Sequence, residues 1–260
     1  MTQASAVILA GTRPGGDPLA GVEGAAHKAL IELEGRPLLE RVVAAVRGAG
    51  IGRVLVVCEE GPVAELARSL GADVIYQAAG PSESVMRALD QAGTPLLVTS
   101  SDHALLQTEW VGDFIADTPG DCDLSVMLAR REAVEAAMPG SRRTYLRFAD
   151  GEWSGCNLFY LRTPQARAAI ETWRAIERDR KRPWKIAARL GVGMLLSYLL
   201  GRLTLAEALD KLGARVGVRA RLVPARNGLA AVDIDKPQDL QDVRALLAGE
   251  ETSSQTATGR

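Results

Sequence analysis

The chain has 260 residues, with 31 basic and 32 acidic side chains and a net charge of −1. This balance excludes a general electrostatic case for nucleic-acid binding, so any basic site must be local. Cys58, Cys122 and Cys156 are far apart, and His27 and His103 supply the imidazoles, so neither a zinc nor a disulfide framework is present. No basic segment precedes the first apolar run, which soon meets glycine, so no secretory signal is expected and the setting is expected to be reducing and cytoplasmic. No internal repeat or linker stands out. A single domain is expected over residues 1–248, with a polar, disordered tail at 249–260.

The first element is the apolar run Val7 to Ala10, which feeds into Gly11-Thr12-Arg13-Pro14-Gly15-Gly16. A strand ending in such a loop can hold phosphate, because glycines let backbone N–H groups approach an anion while Arg13 and Lys28 neutralise it from either end. No Gly-Lys-Ser/Thr follows, and the glycines miss the G-x-G-x-x-G spacing, so neither a Walker A loop nor a dinucleotide fingerprint is present. An ordinary flexible connection is the competing reading. The segment from Gly11 to about Gly35 is, however, far longer than the roughly 2–6 residues usual for such connections.

Pro37 suits a first helical turn, and Leu38, Val42 and Val46 recur at helical spacing until Gly48 and Gly50. Val54 to Cys58 reads as a strand buried on both faces, followed by a helix over 62–70 and a strand over 74–76. The alternation implies a parallel sheet with helical crossovers. Gly80 to Val85 is a turn into a helix reaching about Gln91, with Ser82 as a candidate N-cap. Leu96 to Thr99 is a further buried strand. It delivers Ser100-Ser101-Asp102-His103 to its carboxyl end, where open α/β sheets bind ligands. Asp102 there reads either as a turn residue or as a hard oxygen ligand for Mg²⁺. His103 reads as a solvated loop residue.

Thr108 is expected to cap a helix carrying Trp110, Val111, Phe114 and Ile115, and Leu124 to Leu128 to form a strand. Arg142 to Phe148 alternates and meets a hairpin signal at Asp150-Gly151. Trp153 to Asn157 then leads into the apolar Leu158 to Leu161. Thr163-Pro164 opens a long helix that ends in basic residues. Leu190 to Gly201 follows without a charge, at about 18 Å too short to span a bilayer. The stretch 184–203 is expected to be core, a homodimer interface, or a peripheral membrane or lipid contact. After a helix over 204–212 and a strand over 219–223, Ala231 to Leu240 reads as a strand, a proline and a final helix. Asp233 and Asp235 would share a face if extended, which is costly without a compensating cation. Asp239 is expected to cap or charge the last helix.

Leu9-Ala10-Gly11 with Arg13, then Lys28-Ala29-Leu30 and Gly35-Arg36-Pro37-Leu38-Leu39, resemble the start of the MobA-like NTP transferases, nucleotidyltransferases related to molybdenum-cofactor guanylyltransferase. The chain departs from that pattern in lacking the Arg-Met-Gly order and in carrying Asp17 to Ala26 between the glycines and Lys28. The resemblance implies an α/β, Rossmann-like three-layer (GT-A-like) fold with a mostly parallel sheet, and a helical acceptor-side insertion at about 163–213. It implies Mg²⁺ and transfer of a nucleotidyl group from an NTP to a phosphorylated small-molecule or lipid-like acceptor, with no nucleic-acid partner.

By the same resemblance, Ala10, Gly11, Thr12, Gly15, Gly16, Ser82 and Ser84 would bind nucleotide, the last two leaning towards CTP as in cytidylyltransferases. Arg13 and Lys28 would be catalytic, and Asp102, Asp233 and Asp235 would hold metal. Gly155 and Asn157 would face the acceptor, and Arg142, Arg143 and Lys185 would balance its phosphate charge, unless the arginines are simply solvated. Two alternatives remain at this point. One is a nucleotide-sugar-dependent glycosyltransferase, although no D-x-D follows the central strand. The other is a non-catalytic nucleotide-binding protein.

Overall fold

The computed structural model describes residues 3–12, 17–179 and 191–258. Arg13, Gly15, Gly16 and Lys185 lie outside the described residues. The early apolar runs become parallel strands: β1 (Ser5–Leu9), β4 (Arg53–Cys58), β5 (Asp73–Tyr76) and β6 (Leu96–Ser100). Between β1 and β4, the short strands β2 (Glu32–Leu33) and β3 (Arg36–Pro37) form a separate hairpin. Its turn places Glu34 at φ 53° and Gly35 at φ 70°, the left-handed pair that a two-residue hairpin requires. The later strands are β7 (Leu124–Arg130), β8 (Leu146–Phe148), β9 (Gly151–Leu161) and β10 (Ala220–Pro224). The main sheet runs β10-β7-β9-β6-β1-β4-β5, with β8 hairpinned onto β9. β9 is antiparallel to both β6 and β7, which makes the sheet mostly parallel.

Buried residues alternate along β1. Ala6 and Ile8 face a core shared with α2 (Leu38–Gly48) and α5 (Thr108–Asp117), while Val7 faces one shared with α4 (Pro81–Ala92) and α7 (Arg167–Asp179). This gives the expected three-layer α/β fold, with helices on both faces of the sheet. Two shorter helices, α1 (Pro18–Val22) and α3 (Pro62–Ser69), and α6 (Arg131–Ala137) complete the set before residue 180. Among the described residues, the helices beyond that point are α8 (Val192–Leu199), α9 (Leu205–Ala214) and α10 (Pro237–Thr258). Thr204 caps α9 in a reciprocal box with Glu207.

Several local expectations are corrected. Pro81 occupies the first helical turn of α4, so the cap falls to Gly80 and not to Ser82. Thr108 is the first residue of α5 rather than its cap, and its hydroxyl donates to the Ala45 carbonyl at 3.3 Å. The segment read as a strand at 231–235 is a 3₁₀ turn over Gly228–Ala231 followed by irregular chain. Ile234 N–H donates to the Asp102 carbonyl at 3.0 Å, so the segment crosses the strand ends instead of joining the ladder. α10 runs from Pro237 to Thr258.

α8 turns Met194 inwards onto Leu203 and Ala208, while Leu196, Tyr198, Leu199 and Leu200 are exposed. The core reading therefore covers only one side of this apolar stretch. Among the described residues no helix is long and apolar enough to cross a membrane.

Candidate active site

β1 lies between β4 and β6, so the crossover direction reverses beside it and a crevice opens at the carboxyl ends of these strands. Its floor is tied by Ala10 N–H to the Val57 carbonyl at 2.8 Å and by Ser101 N–H to the Leu9 carbonyl at 2.9 Å. A cleft of about 480 Å³ occupies this position, with Lys28, Asp102, Asp233, Asp235 and Asn157 in its walls.

Lys28 begins a 3₁₀ turn over Lys28–Leu30 that is capped by the His27 ring, whose Nδ1 accepts from Ala29 N–H at 3.0 Å. The Lys28 side chain is 9% exposed, and its Nζ lies 2.7 Å from both Asp102 Oδ2 and Asp235 Oδ1. Burial works against the ammonium, but the two carboxylates outweigh it and hold its pKa above the ordinary lysine value. Asp102 Oδ1 accepts from Ser100 Oγ at 2.5 Å, which orients the carboxylate from the end of β6.

Asp233 forms the third acidic position. Its side chain and its own carbonyl both accept from the Arg143 guanidinium, and its other carboxylate oxygen accepts from Asn157 Nδ2 at 2.7 Å. Burial pushes the Asp233 carboxyl above its usual range; Arg143 opposes this, and the neighbouring Asp102 and Asp235 add to it. Asn157 reaches this position through a local break in β9. The register to β7 shifts between Met127 and Leu128, and Asn157 adopts φ 50°. A bulge of this kind re-aims a side chain. Asp239 accepts from Asp235 N–H at 3.0 Å and Lys236 N–H at 2.8 Å, so it satisfies donors at the start of α10, as expected.

The remaining predicted positions separate into two groups. Gly11, Thr12 and Ser84 line the cleft, and a Cβ on Gly11 would lie 2.1 Å from Gln77 Oε1. Ser84 Oγ accepts from Ala78 N–H at 3.0 Å and so braces the turn before α4. Ala10, Ser82, Arg142, Arg143 and Gly155 are not in the cleft lining. Ala10 is buried in the core, Ser82 is buried with its hydroxyl on Glu177, and Arg142 and Gly155 are exposed. Arg143 stands behind Asp233, with its side chain 9% exposed. His103, read as solvated, is buried. Phe159 and Trp173 line the cleft and were not singled out in the sequence. Trp173 lies at ordinary core spacing on α7, and only its partner Phe159, two positions after Asn157, hints at the site.

The resemblance noted in the sequence implies a divalent cation. The donor set fits one chemically, since all the acidic groups are hard carboxylate oxygens on one cleft and Asp233 feels its acidic neighbours. Among the described residues no group of three or more metal-ligating side chains converges. Mg²⁺ does not need such a cage, because it is usually held by one or two carboxylates together with substrate phosphates and water.

A polar, carboxylate-lined cleft at the reversal point of a mostly parallel sheet places the protein among the α/β enzymes that work at strand carboxyl ends. The sequence profile of the MobA-like NTP transferase domain matches residues 6–181, and the chain belongs to this family of nucleotidyltransferases. Among solved structures it is similar to a hypothetical transferase from Thermus thermophilus, at 33% identity and a TM-score of 0.78 over 92% of this chain and 100% of that one. It shares its fold with a nucleotidyl transferase from a Methanothermobacter species, at 20% identity and a TM-score of 0.58 over 96% and 100% of the two chains. It also shares its fold with the 2-C-methyl-D-erythritol 4-phosphate cytidylyltransferase of Thermus thermophilus, at 19% identity and 0.53 over 94% and 98%. A search of curated proteins by sequence found no match.

Proposed function

We propose that this nucleotidyltransferase moves an NMP group from an NTP, with CTP favoured, to a phosphorylated small-molecule or lipid-like acceptor. The observation that carries the reading is the Lys28 ammonium held 2.7 Å from both Asp102 and Asp235 in the cleft. An ammonium beside carboxylates that can take a divalent cation, gathered at the carboxyl end of β6, is suited to stabilising a phosphoryl centre on which negative charge accumulates. The lean to CTP rests on the Gly- and Ser-containing turn that Ser84 braces and on the cytidylyltransferase fold relative.

In the proposed reaction an acceptor phosphate oxygen attacks the α-phosphorus in line. The bond from that phosphorus to the α,β-bridging oxygen breaks, and pyrophosphate leaves. Lys28 offsets charge on the α-phosphate, while Gly11 and Thr12 with Arg13, Gly15 and Gly16 hold the triphosphate. Asp102 with Asp233 or Asp235 would hold Mg²⁺, which supplies Lewis-acid neutralisation of the phosphates when bound. Asn157 faces the acceptor, with Gly155 and Arg142 as outlying contacts, and Lys185 is proposed to balance the acceptor's phosphate charge. The exposed apolar side of α8 supports a lipid-like acceptor or a second copy of the chain as its neighbour. The protein is proposed to act in the cytoplasm.

Pyrophosphate release, measured with each NTP against a panel of phosphorylated alcohols, sugars and lipids, tests this reading. Metal-dependent release with one NTP and one acceptor class supports it; a nucleotide-sugar donor used in place of an NTP would overturn it.

A further inference from the structure

The cleft is chemically two-sided. One side carries Lys28, Asp102, Asp233 and Asp235, while the other is lined by Leu9, Val57, Val98, Phe159 and Trp173 beside the small residues Ala78, Ala79 and Gly80. Phe159 lies on β9 opposite Val98 of β6, and the Trp173 ring on α7 stacks on it, with centroids 6.3 Å apart and planes at 22°. Trp173 is only half-buried although its neighbours belong to the core, so part of its surface is left to the cleft.

α7 is fixed in this position from its other end. Glu177, one turn beyond Trp173, accepts the buried Ser82 hydroxyl, and a Cβ on Gly80 would sit 3.1 Å from Glu177 Oε2. Gly80 is therefore small where α7 and the turn preceding α4 come together. The turn itself is braced by the Ala78 to Ser84 bond. An aromatic wall, an uncharged strand floor and a rigid turn with polar backbone together suit a flat heterocycle, which has apolar faces and a hydrogen-bonding edge.

We propose that Phe159 and Trp173 form the wall against which the nucleobase or ribose of the NTP packs, with α7 clamped to the turn through Ser82 and Glu177. The proposal rests on the NTP-transfer reading above, and it makes Trp173 a binding residue for the nucleoside as distinct from the triphosphate. Stacking is tolerant of base identity, so Trp173 contributes to affinity for every NTP, and the turn is left to choose among them.

The test is calorimetric binding of each NTP and of inorganic tripolyphosphate, all with Mg²⁺, to the full-length protein and to its Trp173→Ala and Trp173→Phe variants. The expected result is about a tenfold loss of NTP affinity in Trp173→Ala, most of it restored in Trp173→Phe, with tripolyphosphate binding unchanged in both. Equal NTP affinity in all three proteins overturns the proposal. So does an equal loss for tripolyphosphate, which would mark Trp173 as structural only. Tripolyphosphate binding with no NTP binding in the parent protein would instead overturn the NTP-transfer reading and this inference with it.

Discussion

The ammonium of Lys28 lies 2.7 Å from the carboxylate of Asp102, a residue 74 positions further along the chain, and at the same distance from Asp235. Lys28 thus serves as the counter-ion of an acidic cluster that also includes Asp233. Lys28→Ala leaves these carboxylates facing one another in a partly buried cleft. Transfer should fall by roughly 100-fold or more, and the free protein should lose about 1–3 kcal/mol of stability. Millimolar Mg²⁺ should stabilise Lys28→Ala more than the parent, because a dication then replaces the missing charge. Urea midpoints with and without Mg²⁺ check this, and an equal Mg²⁺ effect on both proteins would count against a shared cation site.

Arg143 holds Asp233 by its carboxylate and its carbonyl at once, and Asn157 takes the remaining carboxylate oxygen. Lysine cannot reproduce that planar fork. Arg143→Lys is expected to lower kcat about 10–100-fold while changing the KM for the acceptor less than threefold, since the defect is one of positioning. A large rise in acceptor KM with kcat unchanged would instead return Arg143 to the acceptor-phosphate role that the sequence suggests.

How much of this was legible follows the range of the physical signal. Lys28, Asp102 and the Asp233/Asp235 pair stand beside apolar runs or turn signals, so local pattern and resemblance brought them out together. The link from Arg143 to Asp233 spans 90 positions and has no periodicity to betray it. Asn157 was singled out, but not the β9 bulge that turns it, because a two-residue slip of β9 opposite Met127 and Leu128 leaves no trace in composition. Val232 to Asp235 has strand-like apolar alternation, yet Ile234 N–H bonds to the Asp102 carbonyl across the strand ends and not along a strand edge, so tertiary context overrode propensity. Trp173 was missed because its spacing on α7 is that of an ordinary core residue.

His103 is buried, and burial pushes its imidazole down to about 4, with Asp102 pulling the other way. The folded chain therefore leaves it neutral at pH values where the unfolded chain, with an ordinary value near 6.5, already binds a proton. The sign follows: stability attributable to His103 is fully present above about pH 6.5 and is lost as pH falls from there towards 4, by up to about 1.4 kcal/mol per pH unit. His103→Gln should show a shallower acid limb than the parent across that window. Parallel limbs in urea unfolding at stepped pH would contradict this.

Asp123, 4% exposed in its side chain, gathers the Arg219 backbone N–H at 2.9 Å, the Arg219 guanidinium at 3.1 Å and Thr163 Oγ1 at 2.7 Å. It thereby joins the start of β7 to the segments leading into α7 and β10. Asp123→Ala leaves these donors unpaired and should cost about 2–4 kcal/mol. NTP affinity should stay within about twofold at a temperature where the variant is folded, since Asp123 is not in the cleft lining. Denaturation and calorimetry together separate the two effects.

The most direct test of the central claim is thermal stabilisation of the purified protein by each of the four NTPs, with and without Mg²⁺, beside the Asp102→Asn variant. A ligand that binds the folded chain alone raises its stability as RT ln(1 + [L]/Kd). At a hundredfold excess over Kd the parent should gain about 5–10 °C with one NTP, CTP first, only when Mg²⁺ is present, and Asp102→Asn should lose most of that gain. A shift that ignores Mg²⁺ and survives in Asp102→Asn, or no shift with any NTP, would contradict the assignment of Lys28, Asp102 and Asp235 as the nucleotide centre.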